Sequence, residues 1–434
     1  MKTAITFLKL SAVAGILFTL NSCTDKCEVT RTYRTTVPII WTLESIRAGV
    51  RILPPQDLEN PAKLYVKDNY LFISEAKKGV HIINNANPSN PVKVSFLEIP
   101  GVVDMAVKNN TLYVDSYMDV VALDISNPMA VKEVGRSTNI FQNGLHDGLS
   151  WYYDPYSRIV TDYEWKTVTD NIKTDCGANM AQWPVYNRGG FFNDFALSSG
   201  ANGSRGAAGN SGSPGTGTGG SMARFAIYED YLYTISQNSM TLFNIKEEAK
   251  PDSTATINLG WGIETIFPYK DKLFIGSNTG MYIYDNTNPA KPERLSIFQH
   301  ARACDPVVVE GDIAYVTLRE GWCGQSPNRL EVVNISDLRR PSLIKSYDME
   351  NPHGLGIDNG KLFICEGKFG LKSLDAKNVN DIKLQQHIKD IHAFDVIPLS
   401  GNLLLMVGED GFYQYDYADP KNLRQLSKIP VINQ

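Results

Sequence analysis

Seven short segments of this chain repeat one pattern, and their spacing constrains the fold more than any bulk property does. They read DNYLFIS, NNTLYVD, EDYLYTI, KDKLFIG, GDIAYVT, NGKLFIC and SGNLLLM, with apolar anchors at Leu71, Leu112, Leu232, Leu273, Ala314, Leu362 and Leu403. Successive anchors lie 41, 120, 41, 41, 48 and 41 residues apart. Before each anchor run stands an apolar strand such as MAVKN or VVVEG, joined to it by a tight polar turn such as Lys108-Asn109-Asn110. After it comes a third strand (GVHIINN, VVALDIS, GMYIYDN) ending at Asn84, Asp124, Asn244, Asp285, Asn334, Asp375 or Asp416. Asn-Pro or Asp-Pro follows in four units, at Asn87, Asn127, Asn288 and Asp419. Such residues cap turns through side chain–backbone bonds and, in proline, a fixed φ. A fourth strand such as VKVSFLEI closes the unit. Four strands in about 41 residues is the arithmetic of a propeller blade, and stacked blades must ring a common axis to bury their faces.

The sequence therefore predicts an all-β, seven-bladed β-propeller of four-stranded antiparallel blades over 62–434. The 120-residue gap holds no further anchor pattern between 137 and 221, so that stretch reads as one long loop insertion ending in a Gly/Ser-rich tract. Residues 23–61 read as an N-terminal tether, with Val50–Leu53 as a candidate extra outer strand at ring closure. With 42 Lys+Arg against 47 Asp+Glu the net charge is −5, which leaves no basic excess for a phosphate backbone and argues against nucleic acid as partner.

The N-terminus reads as an address. Lys2 and Lys9 precede the uncharged run Leu10–Leu20, about 11 residues long and short of the ~20 a membrane span needs. Residues 1–22 are thus a signal peptide. The run ends in Leu20-Asn21-Ser22-Cys23, which resembles a bacterial lipobox. That resemblance implies cleavage before Cys23, lipidation of Cys23 and a body anchored to a membrane by acyl chains. With no Asp at position 24, the sorting rules of such lipoproteins point to the outer membrane, on its periplasmic or its exterior side.

The segments GVHIIN–NPSNP and LYV–VVALDISNP resemble the LVIVD-repeat family of β-propeller proteins, often carried by bacterial lipoproteins. The resemblance covers nearly all of 62–434 outside the insertion. It implies fold and a binding role, and supplies no catalytic residues to transfer.

Both length anomalies fall on one face of such a ring. In a four-stranded blade the second hairpin and the crossover to the next blade share a face, and the short polar and Asn-Pro turns share the other. The 48-residue spacing enlarges the hairpin LREGWCGQSPNR, and the insertion 137–221 sits at a crossover. Trp151, Trp165 and Trp183 (insertion), Trp261 (crossover) and Trp322 (hairpin) all belong to that face. Two readings stand: these rings glue the insertion to the propeller, or they form a stacking surface for a glycan, peptide or protein partner.

Asp104, Arg224, Glu264, Asp305, His353 and Asp395 begin inner strands and should ring the mouth of the central channel, with His392 nearby. As a group they suit a polar, wet channel. Alternatively they suit Ca²⁺ binding, or a hydrolase or lyase working through Glu264 and Asp305. Six histidines without HExxH or CxxC spacing argue against zinc, and no GxSxG elbow appears. The GxGxxG match at 215–220 follows no predicted strand and opens no helix, so it is not read as a nucleotide site. Among the cysteines, Cys304 and Cys323 share one blade and one face and are the best disulfide candidates. Cys27–Cys176 is a weaker pairing, and Cys365 belongs inside a strand.

Overall fold

The computed structural model describes residues 26–146, 148–175, 216–300, 306–320 and 328–432. The chain divides into two compact units. The smaller one includes residues 26–39 and 163–175, portions of two long strands, β1 (Lys26–Thr42) and β2 (Ile159–Asp175). Cross-strand pairs hold these portions together: Thr30 with Asn171 (2.7 Å), Thr32 with Thr169 (3.0 Å) and Tyr33 with Asp170 (2.8 Å). Cys27, in β1, is disulfide-bonded. Cys23, Cys176, Cys304 and Cys323 lie outside the described residues.

The larger unit is a β-propeller. Among the described residues it holds seven antiparallel sheets, each built on four successive strands, over 61–98 (a sheet with two further strands), 105–137, 225–258, 263–299, 307–348, 355–388 and 393–430. The innermost strand of each sheet contacts the next sheet in chain order, and the last sheet returns to contact the first. Local chemistry explains the repetition. The tight first turns place Asp68, Asn109, Glu229, Lys270, Gly311, Asn359 and Asn402 at positive φ, where the twist of a short hairpin requires it. All seven strand-ending Asn or Asp side chains accept the N–H two residues on: Asn84 from Ala86, Asp124 from Ser126, Asn244 from Lys246, Asp285 from Thr287, Asn334 from Ser336, Asp375 from Lys377 and Asp416 from Ala418. The Asn-Pro position repeats the device. There Asn87, Asn127, Asn288 and Asp419 are joined by Asp337 and Asn378, which lack the proline. Each fourth strand also shifts register by a bulge against its third.

Leu71, Leu112, Leu232, Leu273, Ala314 and Leu362 are fully buried. In the last sheet the equivalent position is Leu404 rather than Leu403. Leu403 pairs with the capping Asp416 as Tyr70 pairs with Asn84, which leaves Leu404 facing the core.

The ring closes by packing and a few polar contacts. Leu58, Leu64 and Ile73 share one apolar cluster with Ile397, Leu405 and Phe412. The buried amides of Asn85 and Gln414 exchange two hydrogen bonds of 2.8 and 2.7 Å across the seam. Ser427 donates to the Pro88 carbonyl (2.7 Å), and Leu58 bridges Val431. Arg51–Leu53 pairs with the outer strand Val92–Glu98 of the first sheet, adding a strand at its outer edge.

Residues 137–221 contribute strands of their own. Asn143–His146, Leu149–Asp154 and β2 form a sheet with β1. Further on, Thr218–Gly219 adds to the inner edge of Pro61–Lys67, which is the wall of the axial channel. Thr216 bridges Lys108, the Gly217 N–H donates to the Val107 carbonyl (3.0 Å), and Tyr65 donates to the Gly217 carbonyl (3.1 Å). Farther along, Ser221 accepts from the Leu355 N–H (3.4 Å) and the Ala223 carbonyl accepts from Ile266 (2.8 Å). Thr216 thus lies at the short-turn end and Ser221 at the crossover end, so the segment runs up the channel against the inner strands. Its glycines are required there. A Cβ on Gly217 would stand 2.4 Å from both the Tyr65 ring and the Val66 carbonyl oxygen. Gly217→Val should therefore lower the stability of the propeller by about 1–3 kcal/mol through overpacking. Thr218→Val should leave it nearly unchanged; urea denaturation of both variants measures the difference.

Candidate functional site

The residues expected on the elaborated face divide by what they touch. Trp151 does not present itself to a ligand: it is buried, edge-on to Tyr117 with ring centroids 5.4 Å apart. It sits in a cluster with Leu43 and Ile46 of the short helix α1 (Leu43–Ala48), Met118, Tyr153 and Val160. The strand alternates, which turns Trp151 and Tyr153 inward and leaves Tyr152 exposed. Buried Asp162 completes the attachment, taking Lys77 Nζ (2.7 Å) and the Tyr117 hydroxyl (2.8 Å). For Trp151 the gluing reading holds, because a ring this size has no exposed face left to stack on. Trp151→Ala should cost about 3–5 kcal/mol by chemical denaturation; a loss below ~1 kcal/mol would contradict this packing role.

Trp165 is half-buried in the smaller unit, with the Arg34 guanidinium 5.1 Å from its ring centroid. Trp183 and Trp322 lie outside the described residues. Trp261 is different, at 69% exposed. Gly260 and Gly262 flank it at φ 94° and 85°, and the turn is pinned at both ends. The Gly260 N–H donates to Asn258 Oδ1 (2.9 Å), the Gly262 and Ile263 N–H groups to the Gln237 carbonyl (2.9 and 3.0 Å), and the Asn278 N–H to the Gly262 carbonyl (2.8 Å).

The inner-strand residues do not converge as one ring of acids around open water, because the chain itself runs through the channel. Buried Asp104 is committed: its carboxylate accepts the Arg224 N–H and lies 3.3 Å from Lys63 Nζ, while Lys63 also donates to the Met222 carbonyl (2.7 Å). Burial pulls the Lys63 ammonium down to about 8, although the Asp104 charge opposes that shift. Asp395 is fully buried, and its charge also reaches Lys63. His353 is buried, its Nε2 3.2 Å from Asn351 Nδ2, and His392 Nδ1 meets Glu409. Glu264 is half-buried, and its charge acts on Arg319, whose guanidinium burial holds below its usual value. Asp305 lies outside the described residues. Among the described residues no group of three His, Cys, Asp or Glu side chains is placed to hold a metal ion such as Ca²⁺.

Three of the expected residues, Asp104, Trp151 and Arg224, do meet, in a cleft of ≈ 40 Å³ where the insertion covers the second and third sheets. The sequence reading missed the cleft's fourth member, Asp115. Its Oδ1 accepts the N–H groups of Val103 (2.7 Å) and Asp104 (2.9 Å), as the Ser74 hydroxyl accepts the Lys63 N–H in the first sheet. The signal was there. Three residues after the anchor the other units carry Ser74, Ile235, Gly276, Thr317, Cys365 and Val407, and only this one carries a charge.

Burial pushes the Asp115 carboxyl up to about 7, against the two N–H donors that favour its anion. A carboxyl raised in the folded state holds its proton there at pH values where the unfolded chain has lost it. Its contribution to stability is therefore full below the ordinary value of 3.8 and lost as pH rises through about 7. Asp115→Asn keeps an acceptor and removes the titration. The urea midpoint should fall less between pH 5 and pH 8 in the variant than in the native chain; equal falls would contradict the assignment.

Comparison with known proteins bears on fold. A repeat profile described as the LVIVD repeat matches residues 62–96, 101–138 and 301–349. The computationally designed Ika8 protein superposes with a TM-score of 0.50 at 8% identity, over 88% of this chain and 92% of its own. PorZ, a bacterial surface component of the type-IX secretion system of Porphyromonas gingivalis, gives 0.47 at 12% identity, over 86% of this chain and 39% of PorZ. BamB from Moraxella catarrhalis gives 0.44 at 8% identity, over 84% of this chain and 98% of BamB. No curated protein matches the chain in sequence.

Proposed function

Starting from a β-propeller chain that carries LVIVD repeats, we propose a binding module of the cell envelope that presents its crossover face to a protein partner. In this reading the signal peptide 1–22 delivers the chain and acyl chains on Cys23 hold it at the outer membrane. The observation that carries the proposal is Trp261. A large ring exposed on a turn fixed by three backbone hydrogen bonds and one to the Asn258 side chain has little backbone entropy left to lose on docking. Tryptophan is also, with tyrosine and arginine, enriched among docking anchors. Two further aromatic side chains support the reading. Tyr152 points away from the buried Trp151 side of its strand, and Phe369 is partly exposed on the second hairpin of the sixth sheet, on the same face.

The test is chemical cross-linking of whole cells that carry the full chain. Trp261→Ala should leave the melting temperature unchanged and reduce cross-linked partner adduct ~tenfold or more. Met129→Ala, which removes an exposed side chain from the short-turn face, should leave the adduct unchanged. Equal yields from both variants would refute docking through the crossover face.

A further inference from the structure

The cleft between the insertion and the second and third sheets holds two charged groups whose bonding is incomplete. The second carboxylate oxygen of Asp115 makes no hydrogen bond among the described residues; both of that side chain's bonds go to Oδ1. The Arg224 guanidinium, half-buried where the inner strand of the third sheet begins, makes no hydrogen bond or ion pair among the described residues. These two groups line the same cavity, and the Arg224 charge reaches Asp115, yet they form no ion pair among the described residues. Both residues are only partly buried, so the guanidinium and the second Asp115 oxygen keep hydrogen-bonding capacity to offer to whatever enters the cleft. Neither is needed to fix the backbone: Asp115 does that with Oδ1 alone, and Arg224 with its N–H to Asp104.

We propose that this cleft is a site for a neutral hydroxylated ligand, the edge of a hexose ring. One of its hydroxyls would accept from Arg224 while a neighbouring hydroxyl donates to Asp115. The walls fit that chemistry. Phe141, Tyr117 and Phe225 line the cleft with apolar and aromatic surface for the C–H edge of a sugar, and Gln237 adds an adaptable amide. The charges select against other classes. The lining carries both signs, Arg224 against Asp104 and Asp115, so a cation or an anion each meets a like charge beside its partner. A neutral polyol meets no such penalty and has the donors and acceptors both groups lack. At ≈ 40 Å³ the enclosed space takes a ring edge with its hydroxyls, so the rest of a saccharide would extend outward past the insertion. This site is separate from docking through Trp261, which does not line the cleft.

The experiment titrates the detergent-solubilised full chain with glucose, mannose, galactose or N-acetylglucosamine up to ~50 mM, read by saturation-transfer NMR and by tryptophan fluorescence. The proposal predicts saturable binding of at least one of these sugars. Arg224→Gln and Asp115→Asn should each weaken it ~tenfold, each by removing a charged hydrogen-bonding partner. Trp261→Ala should leave it unchanged, which separates this site from the protein-docking face. Asp115→Asn is isosteric, and its fold is checked by the same denaturation curve as the native chain. No saturable binding of any of the four sugars would overturn the proposal. So would binding unaffected by both cleft variants, or saturable binding of glycine or phosphate in place of the sugars.

Discussion

Everything in this propeller follows from one constraint: the first three strands of each sheet are largely buried on both faces. Runs such as Val307–Val309 and Val120–Leu123 are buried without alternation, so a sheet built from them is stable only between two others. Seven such sheets satisfy the condition when the last meets the first, which the Asn85–Gln414 amide pair and the shared apolar cluster at the seam accomplish. Only the fourth strands are relieved of the constraint. Their exposed positions, as along Lys132–Ser137, carry much of the polar surface.

Closing a ring creates an axial channel whose walls are strand edges with unpaired backbone groups. Here the end of the insertion supplies the missing partner. Thr216 to Ala223 offer N–H and C=O groups to Tyr65, Val66, Val107 and Ile266 and the Ser221 hydroxyl to the Leu355 N–H, and glycine is used where the backbone approaches the Tyr65 ring. The Lys63–Asp104 pair then ties the end of this segment to the first and second sheets. Asp104 is drawn into that arrangement, and the cleft lined by Asp115 and Arg224 lies beside it, under the insertion.

How much of this was readable in sequence depends on the range of the interaction involved. The turn residues, the strand-ending Asn and Asp, and the buried anchors are local bonds repeated seven times, so spacing alone exposed them. Leu403 was mistaken for Leu404 because three consecutive leucines hide the phase that pairing with Asp416 sets. Residues 216–219 read as part of a Gly/Ser-rich tract because their partners lie on strands 100 and more residues away, which leave no mark on neighbouring residues. Trp151 and Trp261 were both placed on the crossover face by sequence, and their surroundings separate them. One is buried because its strand alternates inward onto Tyr117, and the other is exposed because two glycines at positive φ turn it outward.

The claim on which the account rests is that the chain closes its own channel and so leaves recognition to the crossover face. Hydrogen–deuterium exchange of the full chain tests it at the peptide covering 216–224. The account predicts that the Gly217 amide and its neighbours exchange as slowly as those of the inner strand Met105–Lys108. Exchange as fast as that of the exposed turn around Trp261 would show the channel open, and would contradict it.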